Sequence, residues 1–167
     1  MAEIAHRFAN VNGIRLHYAE MGVGPCVLLC HGFPESWYSW RHQIRALADA
    51  GFHAVAPDMR GYGQTDRPAA VETYDIFQLT GDLVGLVDAL GAEPVVIVGH
   101  DWGAWITQGA ALFRPDLFRA QRAEPHQKSH PAGHRPLDSA GESGRGQSRC
   151  PRIDTERLVI DFTRTLK

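Results

Sequence analysis

Residues 95–103 constrain the fold of this chain more than any other segment, because a short apolar run ends there in Gly-His-Asp-Trp-Gly and a helical pattern follows at once. Four successive apolar residues, 95–98, are typical of a parallel strand covered on both faces. Glycines on either side of the His-Asp-Trp centre permit a sharp strand-to-helix turn, which projects the middle side chain into a pocket. The pattern therefore predicts Asp101 at such a turn.

The rest of the pattern alternates strands and helices after an opening hairpin. Asn-Gly at positions 12 and 13 separates runs at 6–11 and 14–19, and this dipeptide is a strong signal for a tight hairpin turn. Further strands are predicted at 26–30, 52–56 and 95–98, and helices at 37–50, 76–90 and 104–113. The sequence therefore predicts an α/β fold with a mostly parallel sheet and an N-terminal β-hairpin.

The composition of the chain argues against several classes of binding partner. The chain has 167 residues and a net charge of -2 from 17 basic and 19 acidic side chains, so no broad field concentrates nucleic acid or anionic lipid. No apolar run approaches the roughly 20 residues that span a bilayer, and the start does not resemble a secretory leader. We expect a cytoplasmic protein without nucleic-acid or membrane partners. No dinucleotide fingerprint, phosphate loop or metal cluster is present in the sequence, so no cofactor is expected.

Cys26 and Cys30 lie at the two ends of one predicted strand. At about 3.3 Å per residue they are roughly 13 Å apart, which is beyond the reach of a disulfide. No nearby Cys or His completes a ligand set at zinc-site spacing. The two residues are therefore predicted to be buried thiols.

Asp101 has two interpretations. An aspartate before a helix commonly caps it, whereas a carboxylate at a strained elbow, kept ionised by the helix N-terminus, can attack carbon. The second interpretation gains from a His-Gly-Phe-Pro segment directly after the strand at 26–30, because folds with an elbow of this kind place a second oxyanion donor after an earlier strand. The backbone N–H groups of Phe33 and Trp102 are predicted to converge on one oxygen.

Three motifs in register carry a family resemblance: His31-Gly32-Phe33-Pro34-Glu35-Ser36-Trp37, Asp58-Met59-Arg60-Gly61-Tyr62-Gly63-Gln64-Thr65-Asp66 and Gly99-His100-Asp101-Trp102-Gly103-Ala104. Over roughly residues 8–120, their order and spacing resemble soluble epoxide hydrolases of the α/β-hydrolase fold. The resemblance implies that Asp101 opens a small hydrophobic epoxide to form an ester, and that water activated by a histidine then releases a vicinal diol. It also implies two lid tyrosines that donate protons to the epoxide oxygen.

The expected site falls into three groups. Asp101 is the nucleophile, with Phe33 and Trp102 as backbone oxyanion donors. Phe33, Trp37 and Trp102 are expected to contact the substrate, although large aromatic side chains are more often plain core. Residues expected to be structural beside the site are His31, Gly32, Pro34, Gly99, His100 and Gly103. No metal is expected.

Two alternatives stay open. Haloalkane dehalogenases share the His-Asp-Trp-Gly elbow and also use an aspartate, although Phe33-Pro34-Glu35 and the segment 62–66 favour epoxide chemistry. From another class, the chain could be a catalytically inert hydrolase remnant that associates with other chains. Halide release, diol formation, or neither in a folded sample would distinguish the three.

The chain departs from the family pattern after Ala120. In this fold the acid partner and the base histidine follow the nucleophile well downstream, beyond a helical lid, so the lid and C-terminal half are expected to be absent. Residues 121–152 contain almost no large apolar side chains, which predicts disorder. His126, His130 and His134 lie there and are not expected to act as bases. We expect a partial core domain at 1–120 and an atypical tail at 121–167, arising from a shifted reading frame, a truncated gene or a natural extension.

This break has a predicted consequence for the sheet. The strand after the nucleophile strand should begin near Ala120, where the chain turns polar. Residues 95–98 are therefore expected to keep unpaired backbone groups along one side, unless residues 158–162 fold back and pair with them. An open apolar edge recruits other strands, so self-association is expected.

Overall fold

The computed structural model describes residues 3–92 and 94–120, so the predictions for residues 121–167 lie outside the described residues. The elements in chain order are β1 (Ala5–Val11), β2 (Ile14–Met21), β3 (Cys26–Cys30), α1 (Arg41–Asp49), β4 (His53–Pro57), α2 (Ile76–Leu90), β5 (Val95–Gly99), α3 (Trp102–Phe113) and β6 (Phe118–Ala120). Short 3-10 turns at Trp37–Trp40 and Val71–Tyr74 precede α1 and α2.

The six strands form one sheet in the order β1-β2-β4-β3-β5-β6. Strand β2 pairs antiparallel with β1 and with β4, whereas β4, β3, β5 and β6 run parallel to one another. Asn12 and Gly13, at the turn of the first hairpin, have positive φ angles of 45° and 76°, as a two-residue hairpin turn requires. The predicted fold class is confirmed.

Strand β3 is buried on both faces of the sheet. Cys26, Leu28 and Cys30 join the core beneath α2 and α3, while Val27 and Leu29 join the core beneath α1. Both cysteines are free thiols, as predicted. Burial raises the pKa of Cys26 to about 12 and also raises the pKa of Cys30. The uninterrupted apolar run is therefore the signature of a central strand.

The helix predicted at 37–50 is two elements. The first is the 3-10 turn Trp37–Trp40, in which the Ser36 hydroxyl accepts the Tyr38 N–H at 3.3 Å and the Ser36 carbonyl accepts the Ser39 N–H at 3.1 Å. These short-range bonds tighten the chain before α1 begins at Arg41. Helix α3 begins two residues earlier than predicted, directly after Asp101.

The expectation of an unpaired side along residues 95–98 is wrong for most of that strand. Strand β6 pairs with it in parallel, with Phe118 opposite Val95 and Ala120 opposite Ile97. Leu117 and Phe118 are each only 3% exposed, so the last apolar residues before the polar stretch are enough to anchor a three-residue strand. Among the described strands, the open edges of the sheet are therefore β6 and β1.

None of the described helices is long and apolar enough to cross a membrane.

Candidate active site

Asp101 lies at the corner between β5 and α3 with φ 54° and ψ -123°. A positive φ is uncommon for a residue with a side chain, and such strain costs on the order of 1–3 kcal/mol. The corner is held on both sides: the His100 N–H donates to the Cys30 carbonyl at 3.1 Å, and the Ala104 N–H donates to the Asp101 carbonyl at 3.0 Å. The carboxylate is therefore exposed on a backbone that its surroundings fix.

The two elbow glycines serve close packing. Neither has a positive φ, but a Cβ atom on Gly103 would overlap the Cys30 carbonyl, and one on Gly99 would overlap the Gly103 carbonyl. Helix α3 can thus begin directly against β3 and β5 only if both positions lack a side chain. The unusual backbone angles that the elbow demands fall on Asp101 itself.

The loop after β3 meets the Asp101 carboxylate. The Phe33 N–H donates to Asp101 Oδ1 at 3.0 Å, and a Cβ atom on Gly32 would lie 2.5 Å from both Asp101 Cβ and Oδ1. The carboxylate makes no side-chain cap hydrogen bond with α3. The Phe33 N–H, and next the nearby Trp102 N–H, hold the pKa of Asp101 below its ordinary value.

Glu35 links the same loop to the elbow a second time. Its Oε2 accepts the Gly32 N–H at 3.3 Å and lies 3.5 Å from His100 Nδ1. The Glu35 side chain thus links Gly32 to His100, while Phe33 bonds directly to Asp101. His100, expected to be structural, adds a charge effect when protonated, which also lowers the pKa of Asp101.

His31 is 1% exposed and has both ring nitrogens engaged. The Met59 N–H donates to Nε2 at 3.0 Å, which requires the proton to be on Nδ1, where it is donated to the Gly32 carbonyl at 2.8 Å. Burial lowers the pKa of His31, which keeps the ring neutral. In this position His31 connects the loop that carries Gly32 and Phe33 to the segment after β4.

A cavity of about 370 Å³ borders Gly32 and Trp102, the residues on either side of the Asp101 carboxylate. Its remaining lining is mainly apolar and aromatic: His31, Met59, Arg60, Tyr62, Tyr74, Leu79, Trp105 and Ile106. Of all the residues that line this cavity, Trp102 is the one that the sequence predicted to contact substrate. Trp105 and Ile106 follow it at helical spacing and could have been found from the sequence. Tyr74 and Leu79 come from a distant segment and carry no local signal.

The structure does not bring Trp37 to this cavity. Its ring packs edge-on against His6, with ring centroids 4.7 Å apart, and lines a separate cavity. Its backbone N–H donates to Asp58 Oδ1 at 2.9 Å. The 3-10 turn that begins at Trp37 directs the ring toward β1, so Trp37 does not line the cavity beside Asp101. The Phe33 side chain is 63% exposed and also lies outside the cavity lining.

The motif at residues 58–66 is organised around a hydrogen-bond network on the buried Asp58 carboxylate. Asp58, which is 1% exposed, accepts hydrogen bonds from His17 Nδ1 at 2.8 Å, from the Trp37 N–H and from the Gln64 N–H at 3.0 Å. The Thr65 hydroxyl donates to the Asp58 carbonyl at 2.7 Å. This network fixes the loop that presents Met59 and Tyr62 to the site.

A further anchor of the same loop is the buried ion pair between Arg60 and Asp82, in which Arg60 Nε lies 2.8 Å from Asp82 Oδ2. Asn12, in the first hairpin turn, donates to Asp82 Oδ1 at 2.9 Å. In the described ranges, no three His, Cys, Asp or Glu side chains are placed to share a metal ion. Nor does any histidine of those ranges hydrogen-bond to the Asp101 carboxylate.

The family model for the alpha/beta hydrolase fold matches residues 25–120. The chain is 55% identical over 120 residues to an epoxide hydrolase 3 from Siraitia grosvenorii, covering 72% of this chain and 38% of that protein. It is 54% identical over 125 residues to epoxide hydrolase A from Mycobacterium tuberculosis, covering 74% and 39%. A crystal structure of an epoxide hydrolase from Vigna radiata superposes with a TM-score of 0.69 at 53% identity, covering 71% and 39%. The chain thus spans less than two-fifths of the length of these relatives.

Proposed function

The chain belongs to the α/β-hydrolase fold family, and on that premise we propose that it carries the nucleophile part of an epoxide hydrolase site, with Asp101 as the nucleophile. The observation that supports this most is the Asp101 carboxylate itself. It is exposed at a strained corner, and its Oδ1 accepts the Phe33 N–H at 3.0 Å. The names of the similar proteins, all epoxide hydrolases, indicate the substrate class.

In the first step, the other carboxylate oxygen of Asp101 attacks one carbon of the oxirane. The carbon–oxygen bond of the ring breaks, the ring oxygen keeps the electron pair and takes up a proton from water, and an alkyl ester of Asp101 forms. An aspartate is ordinarily ionised near neutral pH, and the backbone N–H groups of Phe33 and Trp102 lower the pKa of Asp101 further, so the attacking group is the carboxylate. The apolar cavity beside Trp102 accepts the hydrophobic part of the epoxide.

In the second step, water attacks the ester carbonyl carbon of Asp101 to form a tetrahedral intermediate. Its collapse breaks the bond between this carbon and the alkyl oxygen, regenerates the carboxylate and releases the diol, whose oxygen takes up a proton. Before the collapse, negative charge develops on Oδ1. The Phe33 N–H already lies 3.0 Å from that oxygen, so the donor is in place before the charge appears. The attacking water must give up a proton to a base. Among the described residues, His31 uses both ring nitrogens and His100 faces Glu35, so neither is positioned to take it.

We therefore expect the chain to be alkylated once and to release diol slowly or not at all. The third cysteine, Cys150, lies outside the described residues, so the experiment uses the chain with Cys150→Ser. Incubation of this chain with styrene oxide followed by intact-mass spectrometry should show one stable adduct, and peptide mapping should assign it to Asp101. The buried thiols of Cys26 and Cys30, whose pKa values are raised, should not compete.

Asp101→Asn should abolish the adduct, while Asp49→Asn, a change at an exposed aspartate at the end of α1, should leave it intact. Sustained diol production by the unmodified chain, or an adduct that persists in Asp101→Asn, would contradict the proposal. Halide release from a chloroalkane without reaction with styrene oxide would favour the dehalogenase alternative.

We also propose that copies of the chain associate with one another through the β6 edge. Strand β6 has a free side within the described sheet, and the adjacent α3 exposes Leu112 by 76% and Trp105 by 48%. Such an edge beside apolar surface favours pairing with another chain. Light scattering should show mass rising with protein concentration. A constant monomer mass up to high concentration would refute this.

A further inference from the structure

A second cavity, of about 620 Å³, is lined by residues of β1, the turn Trp37–Trp40 and α1. It shares no lining residue with the cavity beside Asp101. Its walls include two arginines, Arg41 and Arg45, two histidines and two aromatic rings. One carboxylate, that of Glu3, is present in the lining. The cavity therefore combines positive charge with flat apolar surface.

Arg41 and Arg45 are one helical turn apart on α1, a spacing at which two like charges repel each other. Within residues 3–92 and 94–120, neither guanidinium forms an ion pair with a carboxylate. Arg41 instead donates to the Tyr38 carbonyl at 3.0 Å and lies over the Tyr38 ring, 4.4 Å from its centre. Two arginines thus line the same concave surface, and neither forms an ion pair with the Glu3 carboxylate that also lines it.

Some other arginines of the described chain form ion pairs with carboxylates. Arg7 pairs with Glu20, and Arg60 pairs with Asp82. The cavity pair thus lacks the carboxylate partners that Arg7 and Arg60 have. Among the described residues, Arg15 lies over the Phe8 ring and Arg67 donates to a carbonyl, but neither of them faces a second arginine across a cavity. A local arrangement that opposes its own electrostatics is typical of a functional site, because a ligand can supply the missing charge.

Hydrogen bonds and ring packing hold the cavity residues His6 and Trp37 in place. His6 Nδ1 lies 3.0 Å from His17 Nε2, and His17 Nδ1 lies 2.8 Å from Asp58. The ring of Trp37 packs on His6, and its backbone N–H is also held by Asp58. A wall that is already ordered loses little conformational freedom when a ligand binds.

We propose that this cavity binds a small organic anion, a carboxylate carried on a flat apolar group. The carboxylate lies between Arg41 and Arg45, where it accepts charge-assisted hydrogen bonds. The flat group lies against Trp37, at the side of the cavity that the rings form. This site is independent of the chemistry at Asp101, with which it shares no residue.

The test uses isothermal titration of the full chain with sodium benzoate at low ionic strength. Benzoate should bind at one saturable site, inorganic phosphate should bind more weakly, and neutral benzyl alcohol should not bind measurably. Added salt should weaken benzoate binding. Arg45→Gln and Arg41→Gln should each reduce the affinity about tenfold or more, since each removes a charged hydrogen-bond donor.

Arg67→Gln is the matched control, because Arg67 is exposed and donates to the Gly63 carbonyl outside the cavity. It should leave binding unchanged. A structural role for Arg45 predicts a lower melting temperature in Arg45→Gln without ligand, whereas relief of the repulsion predicts an equal or higher one. That measurement separates lost binding from lost folding.

Three results would overturn the proposal. These are no saturable benzoate binding to the unmodified chain, binding that survives in both Arg41→Gln and Arg45→Gln, and an equal loss of binding in Arg67→Gln. Phosphate binding as tightly as benzoate would remove the role of the aromatic wall and with it the proposed ligand class.

Discussion

Asp58 and Asp101 both follow parallel strands at the same edge of the sheet, but their surroundings give them opposite roles. Asp58 comes directly after β4, is 1% exposed, and accepts three hydrogen bonds through its carboxylate. Asp101 comes two residues after β5, is exposed, and accepts the Phe33 N–H at Oδ1. A carboxylate whose oxygens are engaged on every side holds a structure together, whereas one with an open side can react.

A glycine approaches each carboxylate closely. Gly63 lies against Asp58, and Gly32 lies against Asp101, so near that a Cβ atom at either position would overlap the carboxylate. In the first region this approach lets the loop 58–66 close over a buried charge. In the second it brings a backbone N–H to one oxygen and leaves access to the carboxylate. The same close approach of a glycine thus serves stability at Asp58 and, in the proposed function, chemistry at Asp101.

The largest effect should come from the matched pair Asp58→Asn and Asp101→Asn. Asp58→Asn removes the charge opposite buried His17 and puts an amide N–H₂ among donors, which should cost about 3 kcal/mol or more of unfolding free energy. Asp101→Asn should change stability far less, because the side chain is exposed, although it should abolish alkylation. Urea unfolding of both variants measures this difference. Equal stability losses would break the comparison.

The next effect concerns the two glycines. Gly32→Ala should slow alkylation of Asp101 by about 10- to 100-fold, because the added methyl displaces the carboxylate from the Phe33 N–H. Gly63→Ala should instead lower stability, by about 1–3 kcal/mol or more given its φ of 50°, with alkylation little changed in the folded fraction. The rate of adduct formation and the urea midpoint together separate the two. A slower reaction in Gly63→Ala alone would reverse the assignment.

The sequence predicted the turn at Asp101 but not the hydrogen-bond network around Asp58, and one physical reason explains the difference. Asp101 is identified by its immediate neighbours, because the strained corner and the close packing of α3 require glycines at fixed offsets. The partners of Asp58 include His17 and Trp37, which are 41 and 21 residues away along the chain. Such contacts depend on strand order, which local patterns do not encode.

The boundary errors have the same origin. The 3-10 turn Trp37–Trp40 was predicted as helix, because apolar spacing does not distinguish the two when a Ser36 cap tightens the chain. The pairing of β6 with Val95–Ile97 was missed, since three residues are too short for a strand signal to stand out from the polar stretch that follows. The sequence also did not indicate the position of the Trp37 ring, because that position depends on the direction in which this turn points the side chain.

The smallest effect concerns the pH dependence of alkylation. Backbone donors hold the pKa of Asp101 below its ordinary value, and His100 adds a smaller effect in the same direction. Because only the carboxylate attacks, the alkylation rate should stay level as the pH falls toward 4 and should decline only below the ordinary aspartate pKa, which is about 3.9.

His100→Gln should move this decline slightly toward higher pH, because the variant removes the weakest of the lowering effects and leaves the Phe33 and Trp102 N–H groups in place. The same linkage acts on stability: a lowered folded-state pKa stabilises the protein above the unfolded pKa, and this contribution disappears as the pH falls through the folded value. For a carboxylate this exposed, the contribution should be small. The check is the rate of adduct formation against pH in both proteins, with circular dichroism at each pH to confirm that they remain folded. A decline that starts well above pH 4 in the unmodified chain would mean that the oxyanion donors do not hold the charged form. In that case Asp101 would differ from Asp58 only in exposure.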